Sequence, residues 1–289
     1  MLTTAEILKR VRQIEIKTKG LSNHIFAGEY HSAFKGRGMS FSEVREYSTS
    51  DDIRAIDWNV TARMSHPYVK VFEEERELTV MLLVDVSSSS LFGTQQRLKR
   101  ELITEISAVI SFSAATNNDK VGVIFFSDKI EKYIPPKKGR SHILRIIREL
   151  IALEPKQESG TNVQIALEFL NNVLKKRTIT FMLSDFISQP YEKALQHAAR
   201  KHDLVGIQVY DQHDRDLPDM GLIQVIDAET KGMRWLDTGN REVREQYTAA
   251  FEGHKQYCVQ SFRKSGASLM RARTNEDYVK VLQGFFKGR

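Results

Sequence analysis

Asp85, Ser87 and Ser89 occupy alternate positions in TVMLLVDVSSS, and this spacing is the chain's clearest chemical signal. Five apolar residues, Val80 to Val84, lead into the carboxylate. A short apolar run of this kind reads as a strand buried on both faces. A carboxylate followed by same-phase hydroxyls at such a strand end can serve as a nucleophile, a helix cap or an all-oxygen ligand set for a hard divalent cation. A second carboxylate, Asp185, closes the β-rich run TITFMLSD, and Thr161 of a Gly160–Thr161 turn offers a further hydroxyl ahead of a predicted helix. Taken singly, each piece has an ordinary structural role; a ligand set requires that they meet.

The elements that must bring them together follow from the periodicity. After the strand at 79–85 comes a helix over 95–115, with Leu98, Leu102, Ile106 and Val109 on one face. A strand over 121–127 follows, with an antiparallel partner over 129–134 ended by Pro135–Pro136, and then a helix over 141–153. A helix from about Asn162, a strand over 178–185, a helix over 190–202 and a strand over 204–210 continue the alternation. A hairpin over 222–236, a long helix over 240–263, a strand over 268–273 and a helix over 276–286 complete it. This order predicts an α/β fold: a doubly wound, mostly parallel sheet covered by helices on both faces, with an inserted β-hairpin. In the common strand order 3-2-1-4-5-6, strands one and four are neighbours, and ligands bind outside their carboxyl ends. Strand one ends at Asp85 and strand four at Asp185, so both carboxylates reach one rim, where the turn at Thr161 also lies.

The set Asp85, Ser87, Ser89, Thr161 and Asp185 is then all oxygen with two formal negative charges. Magnesium takes octahedral oxygen coordination and keeps several waters; manganese accepts the same donors. Neutral hydroxyls would leave the ion under-neutralised, so that a protein partner's Asp or Glu completes the shell.

Residues 1–78 read as an N-terminal extension and 79–289 as the α/β domain. The extension opens with an amphipathic helix over 4–17, carrying Ile7, Val11 and Ile14 at helical spacing. Loops and short strands follow, with a dense polar segment of Arg45, Tyr47, Asp51, Asp52, Arg54, Asp57, Trp58 and Arg63. Alternating Arg and Asp around aromatic residues can build bidentate ion pairs, serving either as structural glue or as a recognition surface. Asp51 and Asp52 lack a third ligand nearby in sequence.

Composition narrows the classes. The 289 residues are 41% hydrophobic and 28% charged, which fits a globular chain. The net charge of +6 permits an acidic partner, but the basic clusters at 137–140 and 175–177 lack interleaved aromatics and read as solvated faces, not a nucleic-acid track. One cysteine, Cys258, excludes an intrachain disulfide and fits a reducing compartment. No apolar run approaches the roughly 20 residues that span a bilayer, and a cytoplasmic protein is expected. Neither a G-x-x-x-x-G-K-[S/T] loop nor an H-E-x-x-H motif is present. His254 and Cys258, four apart on a predicted helix, have no further ligand near in sequence.

The motif DVSSS, the later Gly160–Thr161 and LSD at 183–185 resemble the metal-ion-dependent adhesion site of von Willebrand factor A domains, and NDKVGVIFFS resembles that family's second strand. The resemblance implies a divalent cation, usually magnesium, held by Asp85, Ser87, Ser89, Thr161 and Asp185, with a ligand's acidic residue completing the coordination. Upstream, REYSTSDDIRAIDWNVTAR and VKVFEEERE resemble the bacterial family known as domain of unknown function 58 through Arg45, Tyr47, Asp51, Asp52, Arg54, Ile56, Asp57, Trp58, Ala62 and Arg63. Ser50 stands where that family usually has glycine, and Leu91 where related domains often have methionine. This resemblance implies a metal-dependent adaptor working with a MoxR-type AAA+ ATPase in assembly, maturation or stress tolerance of client proteins. The alternative is a metal-dependent phosphoryl-transfer or hydrolytic enzyme at the same site. Phosphotransferases of the haloacid dehalogenase class place a nucleophilic aspartate at the end of strand one, but need a second aspartate two residues on, where this chain has Ser87. No catalytic residue is therefore expected.

Overall fold

A computed structural model describes residues 6, 40–49, 51–73, 78–94, 97–153, 160–226 and 232–288. The helix expected over 4–17 and Ser50 lie outside the described residues. Two compact units separate at Leu78/Thr79: Phe34–Leu78, and a second that holds Thr79–Arg289.

The smaller unit is built on an antiparallel pair, β1 (Ser40–Glu46) and β2 (Tyr68–Glu73), with a register irregularity between 41 and 43. The connection contains a 3-10 turn, Ile53–Ala55, and helix α1, Trp58–Met64, which the sequence reading did not anticipate. Its cause is local. Asp52 and Asp57 each stand at an N-cap: Asp52 accepts from the Arg54 N–H, and Asp57 from those of Asn59 and Val60, satisfying donors that a helix start leaves open. Tyr68 N–H donates to Thr61 Oγ1 at 3.0 Å, tying α1 to β2.

The larger unit begins with β3 (Thr79–Asp85), a 3-10 turn (Ser88–Leu91) and α2 (Lys99–Thr116). Next come β4 (Lys120–Phe126), β5 (Ile130–Lys137), α3 (Arg140–Ala152) and α4 (Val163–Val173). The chain continues through β6 (Ile179–Ser184), α5 (Glu192–Lys201), β7 (Asp203–Tyr210) and α6 (Gln212–Arg215). Hairpin β8 (Leu222–Ile226) and β9 (Met233–Asp237), long helix α7 (Arg241–Ser265), β10 (Ser268–Arg273) and α8 (Tyr278–Lys287) finish it.

The six-stranded sheet runs β10-β7-β6-β3-β4-β5, parallel except for β5 against β4. This is the doubly wound order expected, with β3 between β4 and β6. Val80 to Val84 are at most 1% exposed, so the strand that carries Asp85 is fixed from both sides; burial of each such side chain contributes about 1.5–3 kcal/mol. On one face Met81, Leu83 and Met182 pack with Leu167 and Leu170 of α4, Leu195 of α5 and Phe262 of α7. On the other, Phe181 meets Phe286 of α8 edge-on, their centroids 6.2 Å apart. Gly206 is required by this packing: a Cβ there would lie 2.4 Å from the Phe262 ring.

Two boundaries differ from expectation. β5 continues through Pro135 and Pro136 to Lys137, because it is the sheet's edge and an edge strand tolerates residues that cannot donate. Helix α2 begins at Lys99 rather than at 95, with Leu98 as its extended N-cap residue.

Candidate metal centre

The carboxyl ends of β3 and β6 are adjacent, since Val84 pairs with Leu183. Asp85 ends β3 and Asp185 directly follows β6; their exposures are 3% and 6%. The chain leaving β3 turns at once into the 3-10 segment, which brings Ser87 Oγ to 3.0 Å from Ser89 Oγ. Thr161, two residues ahead of α4, donates from Oγ1 to Ser87 Oγ at 2.9 Å. The Asn162 N–H bonded to Ser127 O at 2.7 Å ties this turn to the end of β4. All five oxygen-bearing residues therefore sit at the carboxyl edge of the sheet. The Thr161–Ser87 and Ser87–Ser89 hydroxyl separations of 2.9 and 3.0 Å are those of hydrogen-bonded pairs, and the all-oxygen chemistry of the donor set suits a hard cation such as magnesium. Among the described residues no group of three or more His, Cys, Asp or Glu side chains forms a metal cluster; the fit depends on the hydroxyls.

The carboxylates stand behind them, already held. Asp85 Oδ1 accepts from the Ser87 N–H at 2.9 Å, and Oδ2 accepts from Ser184 Oγ at 2.5 Å. Burial, then the neighbouring Asp185 charge, pushes the Asp85 carboxyl up to about 6 against the pull of these bonds, as expected for two carboxylates sharing a desolvated site. Ser184 Oγ also accepts from Phe186 N–H at 3.0 Å. Phe186 has φ +60, a left-handed conformation costly for a bulky residue. Its ring is locked edge-on to Phe262 at 5.2 Å, so the backbone strain beside Asp185 is held by core packing.

Asp185 has a partner that the sequence reading missed. Lys99, 2% exposed, places Nζ 3.1 Å from Asp185 Oδ2 and 3.2 Å from Asp214 Oδ2. Burial alone would lower the Lys99 ammonium, but the two carboxylates outweigh it and hold the group above its ordinary value. Burial raises the Asp214 carboxyl, opposed by Lys99. Lys99 is the first residue of α2, where an ammonium is disfavoured by the helix dipole; the carboxylates supply the compensation. Asp214 is joined to a neighbouring cluster in which Thr94 Oγ1 and Thr274 Oγ1 donate to Asp211 at 2.6 and 2.5 Å, and Asp211 N–H donates to Asp214 Oδ2 at 2.8 Å.

The Arg/Asp segment of the smaller unit departs from the expected network. Arg45 and Asp51 do form a bidentate pair, at 2.8 and 2.6 Å, which holds the Asp51 carboxyl below its usual range. Asp52 and Asp57 are helix caps, and Asp57 is also 3.6 Å from Lys70 Nζ. Tyr47 N–H bonds Pro67 O at 2.9 Å. Trp58 is 66% exposed, and Arg54 and Arg63 are exposed and carry no ion pair among the described residues. The reason is that short side chains beside a helix start bond the backbone instead of distant guanidinium groups. His254 is exposed while Cys258 is fully buried, its thiol pushed up to about 11; the two do not form a ligand pair.

The sheet order, with helices on both faces, is that of a von Willebrand factor A-like fold. The chain belongs to the family described as protein of unknown function DUF58, matched over residues 43–257. It is 29% identical to the uncharacterized protein Rv1480 of Mycobacterium tuberculosis over 282 residues, covering 96% of this chain and 88% of that protein. It is also 29% identical over 109 residues to the uncharacterized protein YeaD of Bacillus subtilis, covering 38% of this chain and 25% of that one. Among solved structures, an aerotolerance-related membrane protein from Bacteroides fragilis superposes with a TM-score of 0.52 at 14% identity, covering 73% of this chain and 100% of that one. Among the described residues no helix is long and apolar enough to cross a membrane.

Proposed function

We propose that this chain is a cation-dependent protein-interaction module whose metal centre is Ser87, Ser89 and Thr161, backed by Asp85 and Asp185. The observation that carries the reading is that Ser87 Oγ lies 3.0 Å from Ser89 Oγ and 2.9 Å from Thr161 Oγ1 at a rim that also holds two buried carboxylates. A bound magnesium or manganese ion would supply a Lewis-acidic position for a partner's Asp or Glu. The chain's own part is positional. Ser184 and the Ser87 N–H aim the Asp85 carboxylate, and Lys99 draws off part of the Asp185 charge. Weaker neutralisation by the protein leaves more of the ion's charge for an incoming carboxylate.

The family resemblance supports a MoxR-type AAA+ ATPase as the partner, with assembly, maturation or stress tolerance of a client as the outcome; the single cysteine, which fits a reducing compartment, favours the cytoplasm as the site of action. We favour binding over catalysis because position 87 carries a hydroxyl where a phosphotransferase needs a carboxylate, and because the Asp85 oxygens are both engaged by the protein. Affinity capture on the purified chain, in magnesium and then in chelator, tests this. The reading predicts retention of an AAA+ ATPase or client that the chelator releases and that Ser87→Ala fails to retain. Metal-dependent turnover of generic phosphoesters, lost in the same variant, would contradict it.

A further inference from the structure

Beyond the metal rim, the carboxyl ends of β7 and β10 carry a second polar concavity beneath α7. Arg215, Lys255, Arg271 and Arg273 line it against only Asp216 and Glu252. The register explains the concentration of charge: Arg271 pairs with Gln208 and Arg273 with Tyr210, so both arginines stand on the same face of the edge strand. Glu252 is already used, lying 2.7 Å from Lys255 Nζ and 3.3 Å from Arg215 Nε. Arg271 is pre-oriented. Its Nε donates to Gln208 Oε1 at 2.8 Å and its guanidinium covers the Tyr210 ring at 4.6 Å, which leaves its terminal amino groups unspent among the described residues. Arg273 Nε is buried without a hydrogen-bond partner among the described residues, and a buried unpaired donor of this kind is costly.

We infer that this concavity is an oxyanion site that takes a single phosphate or carboxylate group. Cations outnumber carboxylates four to two, and the planar guanidinium fork matches the oxygens of either group. Arg271 occupies the Tyr210 ring face, so the aromatic surface is not open to a stacking base and the recognised unit is the anion itself. The site is also connected to the metal rim: Gln208, held by Arg271, donates from Nε2 to Asp185 O at 3.2 Å.

Calorimetric titration of the full chain at low ionic strength, in metal-free buffer, separates this site from the metal centre. The probes are inorganic phosphate and, in a second arm, glutarate. Saturable one-to-one binding of at least one is expected, weakened about tenfold or more in Arg273→Met and by added salt. Arg215→Ala, whose side chain is 52% exposed, provides a variant that keeps the fold if Arg273→Met does not. Phosphate binding alone identifies a phosphoryl ligand, and glutarate binding alone an acidic side chain. No binding of either probe to folded protein, or affinity unchanged in both variants, overturns the inference.

Discussion

Lys99 governs how Asp185 can act. A buried ammonium between two carboxylates stabilises through both, and removing one member of such a group exposes the others to uncompensated burial. Lys99→Met should therefore lower the stability of the metal-free chain by about 3–5 kcal/mol. The same substitution returns the full Asp185 charge to the rim, so it should tighten magnesium binding, and added magnesium should restore part of the lost stability. Denaturant unfolding of both proteins, with and without magnesium, measures this; an equal magnesium effect in the two would contradict it. The placement of Asp85, Thr161 and Asp185 at one rim was legible because each ends a recognisable strand or precedes a helix, and that of Ser87 and Ser89 because they follow Asp85 at alternate positions. Lys99 was not. It lies 86 residues from Asp185 and 115 from Asp214, and its position at a helix start breaks a local preference instead of following one. Ser184 escaped for a similar reason, since nothing in LSD distinguishes a hydroxyl that orients a carboxylate on another strand.

His202 caps the C-terminal end of α5 where β6 and β7 begin, and it makes these elements sensitive to acid. Its Nδ1 accepts from Thr178 N–H at 3.3 Å, so the ring proton belongs on Nε2, which is buried without a partner. Burial, helped by the Lys201 and Arg177 charges, lowers the ring to about 4 from its ordinary 6.5. The unfolded chain takes up a proton over this interval that the folded chain refuses. Stability is thus complete above pH 6.5 and falls as pH drops toward 4, by roughly 3 kcal/mol. Unfolding free energies between pH 7 and 4 should show a shallower decline in His202→Gln than in the wild type; parallel curves would contradict the assignment. The element pattern was largely readable because the sheet's strands are apolar runs separated by amphipathic helices. It failed where a different rule prevailed. Edge position let β5 run through two prolines, and aspartate caps made a helix of a segment that reads as an ion-pair network.

For the whole molecule, the strand order converts two distant sequence motifs into one rim. β3 lies between β4 and β6, so Asp85, the Thr161 turn and Asp185 converge without any of them being adjacent in sequence. That convergence was legible because doubly wound sheets have few alternatives for placing their first and fourth strands. The arginine-lined concavity was not, since it draws on β7, α6, α7 and β10 and has no motif of its own. The central claim is that the rim holds a divalent cation. Calorimetric titration of magnesium, and of manganese, into the wild type and Asp85→Ala tests it most directly. One-site binding in the micromolar-to-millimolar range by the wild type, abolished in Asp85→Ala, is the predicted result. Equal binding by both proteins, or none by the folded wild type, would contradict it.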